Sequence, residues 1–313
     1  MNKILSEYFI KLFTKQWTIG LSRCLISDII NSKNFNPDIT WFPLKSFDEF
    51  YADPFLNKTK EGDFDIFFED FSISEKYGKI SVLRVDENFK QVRENILLDT
   101  KDHFSYPFVF NEKNKTYVFP EARISGKLSC YEYDPVQMSL SFLQDILDLP
   151  LVDSTILKYN DKYWIFGTLG EQETFYKLNI FSSKSLFGPY TSHPENPMKN
   201  GLNGIRPAGN FIEVDGILYR PTQNCENYYG ESITINKINE LNEFSFKEEP
   251  YMLIVLNGKN KHNYGMHNIH TINVVDDLLA VDGEKWTFSP LDQLKSFIRK
   301  RLNNCWKSEK KTC

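Results

Sequence analysis

The sequence predicts an all-β chain folded as a five-bladed β-propeller, with a short amphipathic helix at each end. Three observations predict it. A polar residue leading into an apolar strand recurs along the chain at starts roughly 50 to 60 residues apart, the spacing of propeller blades. Each recurrence is followed by a turn and then by further strand-like runs, three to four strands per unit. Aromatic side chains, which suit the half-buried pleat of a sheet, make up 15% of the residues.

Residues 1–16 read as a helix, because Ile4, Leu5, Tyr8, Phe9, Leu12 and Phe13 form a helical apolar stripe. The propeller is expected over 17–285. Its five blade heads are Ala52-Asp53-Pro54-Phe55-Leu56, Ser105-Tyr106-Pro107-Phe108-Val109, Val152-Asp153-Ser154-Thr155-Ile156, Ile205-Arg206-Pro207-Ala208-Gly209 and Met266-His267-Asn268-Ile269-His270. Second strands are expected over 65–70, 116–122, 163–169, 217–223 and 278–282. Turn signals such as Gly62-Asp63, Asn160-Asp161 and Asp215-Gly216 separate them from the first strands. The last unit is short of strands, and Trp17-Thr18-Ile19-Gly20-Leu21 is expected to supply its outer strand and close the ring. An irregular β-sandwich would not require the polar residue to recur at one point of each unit.

The tail, 286–313, reads as a basic helix. Leu291, Leu294, Phe297, Ile298 and Leu302 have helical spacing, and seven Lys and Arg stand against Asp292 and Glu309. Such a segment suits either an anionic membrane surface or docking on the propeller.

Composition excludes some classes. A net charge of −5 argues against a nucleic-acid binder. Five scattered cysteines without a C-x-x-C pair indicate neither a zinc cage nor a disulfide framework, and fit a reducing compartment. The N-terminus lacks the apolar core of a secretion signal, and no apolar run is long enough to span a bilayer. The expected location is cytoplasmic, or peripheral at the inner face of the membrane.

First strands line a propeller's channel, so Asp53, Tyr106, Asp153, Arg206 and His267 should converge on one mouth. Glu69, Glu121, Arg220 and Gln223 join them from second strands, with His103 before the second head and His270 after the fifth. Crowded carboxylates push one another's pKa values apart, which suits general acid/base work. The same residues could instead bond blade to blade. His267 and His270 with a carboxylate could hold a metal, but no set has tight ligand spacing; neither metal nor cofactor is expected.

At these residues the chain resembles the propeller domain found at the N-terminus of plant glucosamine inositolphosphorylceramide transferases and in many bacterial polysaccharide-biosynthesis proteins. The resemblance runs from about 50 to about 275 and rests on Ala52-Asp53-Pro54-Phe55, Phe68-Glu69, His103-Phe104-Ser105-Tyr106-Pro107, Pro120-Glu121, Pro150-Leu151-Val152-Asp153-Ser154 and Gly188-Pro189. It continues through His193-Pro194-Glu195-Asn196-Pro197, Arg206-Pro207-Ala208-Gly209, Leu218-Tyr219-Arg220-Pro221 and Tyr229-Gly230. More distantly the pattern is similar to five-bladed furanosidases of the arabinanase, invertase and levansucrase groups. That resemblance implies Asp53 as base or nucleophile, Asp153 as the orienting carboxylate, and a Glu as general acid. Where the acid would head blade four, this chain has Arg206, which cannot protonate a leaving group.

The expected function is therefore a glycosyltransferase in cell-surface polysaccharide or glycolipid assembly, with furanosyl transfer as the finer form. Asp53 would deprotonate the acceptor, and Arg206, Arg220, His267 and His270 would clamp the phosphate of a nucleotide-activated donor. The expected partners are that sugar donor and a glycan or glycolipid acceptor. A glycoside hydrolase or transglycosidase using Asp53, Asp153 and Glu121 is the first alternative. A non-catalytic glycan-binding propeller is the second.

Overall fold

The computed structural model describes residues 13–100, 102–122, 124–169, 177–200, 203–258 and 264–290. The chain enters as strand β1 (Phe13–Arg23), then helix α1 (Ile26–Ser32) and the short β2 (Thr40–Trp41). Blade one is β3 (Glu49–Lys58), β4 (Phe64–Ser72), β5 (Tyr77–Val85) and β6 (Gln91–Leu98). Blade two is β7 (Phe104–Glu112), β8 (Lys115–Ala122), β9 (Leu128–Asp134) and β10 (Ser139–Leu147). Blade three is β11 (Leu151–Tyr159), β12 (Lys162–Leu169) and β13 (Lys177–Ser183), edged by β14 (Thr191–Ser192) and β15 (Lys199–Asn200). Blade four holds β16 (Asn203–Pro207), β17 (Ile212–Val214), β18 (Ile217–Asn224), β19 (Ser232–Leu241) and β20 (Phe246–Ile254). Blade five comprises β21 (Met266–Asn268), β22 (Ile272–Val275) and β23 (Leu278–Phe288), completed by β1 and β2.

Each blade is antiparallel, and in blades one, three and four the first two strands meet at the turn residues legible in the sequence. Asn160 and Asp161 both have positive φ, 51° and 57°, as do Asp215 and Gly216 at 53° and 73°. That pair of left-handed residues is what a two-residue hairpin needs to match the strand twist. The blades pack through aromatic layers. Phe55, Tyr106, Phe108, Phe119 and Tyr163 belong to one buried cluster spanning blades one to three.

Ring closure differs from expectation in one respect. The stretch Trp17–Leu21 is not the outer strand of blade five; β1 pairs with β23 over its whole length, and β2 takes the outer edge. A third-position strand with a partner on each side closes the ring more firmly than an edge strand would. Closure also moves two boundaries. Phe13–Gln16, expected in the N-terminal helix of 1–16, are strand, and 286–288 extend β23 rather than begin the tail helix. Residues 1–12 and 291–313, where those helices were expected, lie outside the described residues.

α1, which the periodicity did not reveal, buries Ile29 and Ile30 against blades four and five. No helix among the described residues is long and apolar enough to cross a membrane.

Candidate functional site

The polar blade heads owe their direction to a repeated irregularity. Register slips between Ala52 and Phe55, between Ser105 and Phe108, and between Val152 and Thr155. At these bulges Asp53, Tyr106 and Asp153 take left-handed backbone, with φ of 51°, 43° and 52°. A bulge re-aims a side chain, and a non-glycine residue held left-handed costs about 1–3 kcal/mol, so surrounding contacts must enforce it. Here those contacts are carboxylates of the adjoining blade or of the preceding head. The Asp53 amide donates to Asp282 Oδ2 (3.1 Å), the Tyr106 amide to Asp53 Oδ2 (3.3 Å) and the Asp153 amide to Glu121 Oε2 (3.1 Å).

Around these heads lies a cavity of about 280 Å³, lined by Asp53, Glu69, His103, Ser105, Glu121, Asp153, Arg206 and Tyr229 among others. Two pairs of charges order it. Arg206 Nε donates to Asp153 Oδ2 at 2.6 Å, and Gln223 Nε2 donates to the same oxygen at 3.0 Å. His270 Nε2 stands 3.3 Å from Asp53 Oδ1, which also accepts from Thr271 Oγ1 at 2.7 Å. On its other side His270 Nδ1 is 2.8 Å from Asp282 Oδ2, an ion-pair contact without the alignment of a hydrogen bond. The Trp17 ring covers the imidazole, centroids 4.2 Å apart.

The carboxyls of this pocket divide by protonation. Burial works against the Asp53 anion, but His270, Thr271 and Arg206 outweigh it and hold the carboxyl below its ordinary range. Burial together with the Asp153 charge pushes Glu121 up to about 8, against the opposing pull of Arg206. Burial, with Asp53 and Glu121 nearby, raises Glu69 well above the usual carboxylate range. Burial also raises Asp153, with Arg206 opposing. Burial disfavours the His270 cation, yet Asp282, Tyr229 and Asp53 raise its pKa well above that of free imidazole.

Not every expected residue joins the site. His267 is exposed on β21, and His270 occupies the place assigned to it. The register explains the shift: His270 precedes Ile272 by two residues, as Asp53 precedes Phe55, and Ile272 pairs with Val281 as Phe55 pairs with Phe67. Arg220 is 1% exposed and holds Glu248 in a two-pronged pair (2.8 and 2.6 Å), with further bonds to the carbonyls of Gly204 and Ile205. It braces blade four and is absent from the cavity lining. Tyr106 is also fully buried; its hydroxyl lies 2.8 Å from Thr155 Oγ1 and accepts from the Gly209 amide at 2.8 Å, tying blades two, three and four at the axis. His103 sits at the rim, accepting from the Gly78 amide at 2.9 Å, with Glu69 3.8 Å away.

Three participants were not among the expected site residues: Asp282, Thr271 and Tyr229, the last named only within the Tyr229-Gly230 motif of the resemblance. Asp282 had a signal, a lone acid closing the apolar run Leu278–Val281. Tyr229 lies 5.1 Å below the Arg206 guanidinium on a loop whose placement no local pattern encodes. Asp53, His270 and Asp282 bring ligand atoms within 4.8 Å of one another and, among the described residues, are a set that could hold a cation. Their oxygens, however, already accept from the amides of Asp53, His270 and Thr271 and from the Thr271 hydroxyl.

A family described as "Glucosamine inositolphosphorylceramide transferase 1, N-terminal" matches residues 41–286. Glucosamine inositolphosphorylceramide transferase 1 of Oryza sativa subsp. japonica is 33% identical over 220 residues, 68% of this chain and 29% of the relative. The Arabidopsis thaliana protein of the same name is 32% identical over 259 residues, 77% of this chain and 33% of the relative. The chain thus spans about a third of the length of the curated relatives it matches.

Among solved structures, a family 117 glycoside hydrolase from Zobellia galactanivorans superposes with a TM-score of 0.53. It is 12% identical and covers 90% of this chain and 92% of its own. A family 43 β-1,3-galactosidase solved with galactodeoxynojirimycin gives a TM-score of 0.54 at 9% identity, covering 68% and 82%. A xylan β-1,4-xylosidase from Bacillus halodurans C-125 gives 0.52 at 14% identity, covering 67% and 47%. At such identities the likeness establishes the fold alone.

Proposed function

The chain belongs to the family of the glucosamine inositolphosphorylceramide transferase N-terminal region, and from that premise we propose that its central pocket carries out glycosyl transfer in glycan or glycolipid assembly. The feature that carries the reading is the opposite direction in which one pocket shifts its carboxyls: His270, Thr271 and Arg206 lower Asp53, while burial raises Glu69 and pushes Glu121 up to about 8. Two neutral carboxyls bind sugar hydroxyls by hydrogen bonds without adding negative charge. What charge remains is set by Asp53 beside His270 and Asp153 beside Arg206. An anionic, phosphate-activated donor is tolerated in such a pocket and would be repelled by four carboxylates.

In the step proposed, the acceptor hydroxyl oxygen bonds to the anomeric carbon as the bond to the leaving phosphate breaks, and the hydroxyl proton passes to Asp53. With its lowered pKa Asp53 is a weak base, so proton transfer trails bond formation, when the acceptor oxygen has become strongly acidic. Until then its negative charge faces the oxocarbenium-like sugar. Arg206, held through Nε by Asp153, whose same oxygen accepts from Gln223, faces the departing phosphate. Arg220 takes no part, so the clamp is narrower than the four-residue set the sequence suggested. A furanosyl donor and a nucleotide carrier are the finer form of this proposal.

A second reading, glycoside hydrolysis or transglycosylation, is favoured by the raised pKa of Glu121. A sugar alkoxide needs a proton to leave, and a nucleoside phosphate does not. One experiment separates the two: turnover of a nucleotide-sugar panel and of aryl glycosides by the parent, Asp53→Asn and Glu121→Gln. Transfer from a nucleotide sugar that collapses in Asp53→Asn but survives in Glu121→Gln supports the first reading. Glycoside cleavage falling on the order of 10²- to 10⁴-fold in Glu121→Gln supports the second. No turnover with either donor class rejects both.

A further inference from the structure

We infer that the mouth of the propeller is a docking face for an anionic lipid bilayer, with the β1–β23 ribbon at its edge as the anchor. The first strands run from the mouth toward the opposite face: Asp53 lies early in β3, and Asn57 to Lys60 at its end line a groove on the far side, together with Val275. Second strands run back toward the mouth. β23 therefore starts beside the far face, passes Asp53 at Asp282, and ends at Phe288, six residues or roughly 20 Å further on. β1 begins alongside it: Phe13 is the register partner of Phe288 and Lys15 that of Trp286. Gln16 fixes this end to the start of blade one through bonds to the carbonyls of Ser46 and Glu49.

Both described chain ends thus leave the fold side by side at the mouth. The ribbon they form carries a surface of interfacial type. Trp286 is 41% exposed and Phe288 54%; the rings of Phe13 and Phe288 are 5.2 Å apart, and Lys15 Nζ lies 4.9 Å from the Trp286 ring. Exposed aromatics beside a lysine are the composition found where protein meets lipid headgroups. Tyr228 and Tyr264, 49% and 50% exposed, lie on segments at the same end, after β18 and before β21.

Charge selects the occupant. In sequence the ribbon continues into the last 25 residues, where seven Lys and Arg stand against two acids, in a chain whose net charge is −5. A local cationic stretch on an otherwise acidic protein matches an anionic leaflet, where each basic residue near the surface contributes about 1 kcal/mol. A protein partner or a second copy of this chain would need the apolar ribbon but not that charge. Docking stands on geometry and charge alone. Its consequence, that the acceptor is lipid-linked and enters the mouth from the bilayer, rests on the glycosyl-transfer reading above.

The test is flotation of the full chain with phosphatidylcholine vesicles, with and without phosphatidylserine, at low and high salt. Binding is expected only to the anionic vesicles and is expected to weaken with salt. Trp286→Ala/Phe288→Ala and Arg299→Glu/Lys300→Glu/Arg301→Glu should each lower it by on the order of tenfold or more, with melting temperature retained. Asp53→Asn should bind as the parent does. Equal affinity for neutral vesicles, binding unchanged in both surface variants, or an apolar ribbon buried in a stable dimer would each overturn the proposal. Vesicle binding without sugar transfer would leave docking standing and remove only the acceptor assignment.

Discussion

Arg206 Nε lies 2.6 Å from Asp153 Oδ2, and this ion pair, buried on both sides, joins the heads of blades three and four across the pocket. Removing one partner would strand a buried charge, which costs about 3–5 kcal/mol. Arg206→Ala should therefore lower stability by that order in urea denaturation. Arg206→Lys keeps the charge but not the planar fork, so it should hold the fold better while losing donor affinity. Equal stability of the parent and the alanine variant would refute the pairing.

The neutral Glu121 makes pH dependence directional. Its folded pKa, about 8, is above that of an unfolded glutamate, about 4.3. The folded state then binds the extra proton between those values, so this group's stabilisation is full below about pH 4 and is lost as pH rises toward 8. Melting temperature should fall across that window, and less so in Glu121→Gln. If glycoside cleavage is the chemistry, kcat/KM should also fall on the alkaline side near pH 8.

His270 and His267 should separate cleanly. His267→Ala changes an exposed side chain and should leave melting and binding within error of the parent. His270→Gln removes the cation between Asp53 and Asp282. Asp53 would then titrate at higher pH, and the acidic limb of any pH–rate profile should move up. A limb that stays put would show that His270 does not set the Asp53 pKa.

Arg220 tests a bracing role against a binding one. Arg220→Ala removes the two-pronged contact to the buried Glu248 carboxylate and should cost about 3–5 kcal/mol, with ligand affinity preserved in the folded fraction. The double variant Arg220→Met/Glu248→Leu should recover most of that loss, because it removes both charges. Calorimetric titration with a nucleotide would expose any direct clamp, as a loss of affinity that the double variant does not restore.

The Tyr106 hydroxyl gathers three blades at the axis. Tyr106→Phe strips the acceptor from the buried Gly209 amide and the partner from Thr155. A loss of about 1–3 kcal/mol is expected, measured as a shifted denaturation midpoint with unchanged slope. A variant as stable as the parent would show that the amide finds another partner.

The sequence by itself determined the propeller. Strand alternation, turn pairs such as Asp215-Gly216 and recurring polar heads are local patterns, and local backbone preference together with side-chain alternation is enough to count five blades. The same repeat put Asp53, Asp153, Glu69 and Glu121 near one axis, because positions equivalent in each blade face one channel.

Tertiary structure decided what local pattern does not carry. A bulge shifts register without any composition change, so it took strand pairing to replace His267 by His270. Arg220 reads the same in sequence whether it faces a phosphate or Glu248, two strands away. The place of β1 depended on 255 residues of chain returning to meet it, from Arg23 round to its register partner Leu278 on β23. The split between an ionised Asp53 and a neutral Glu121 arises from burial and from partners on other blades, and these exist only once the ring has closed.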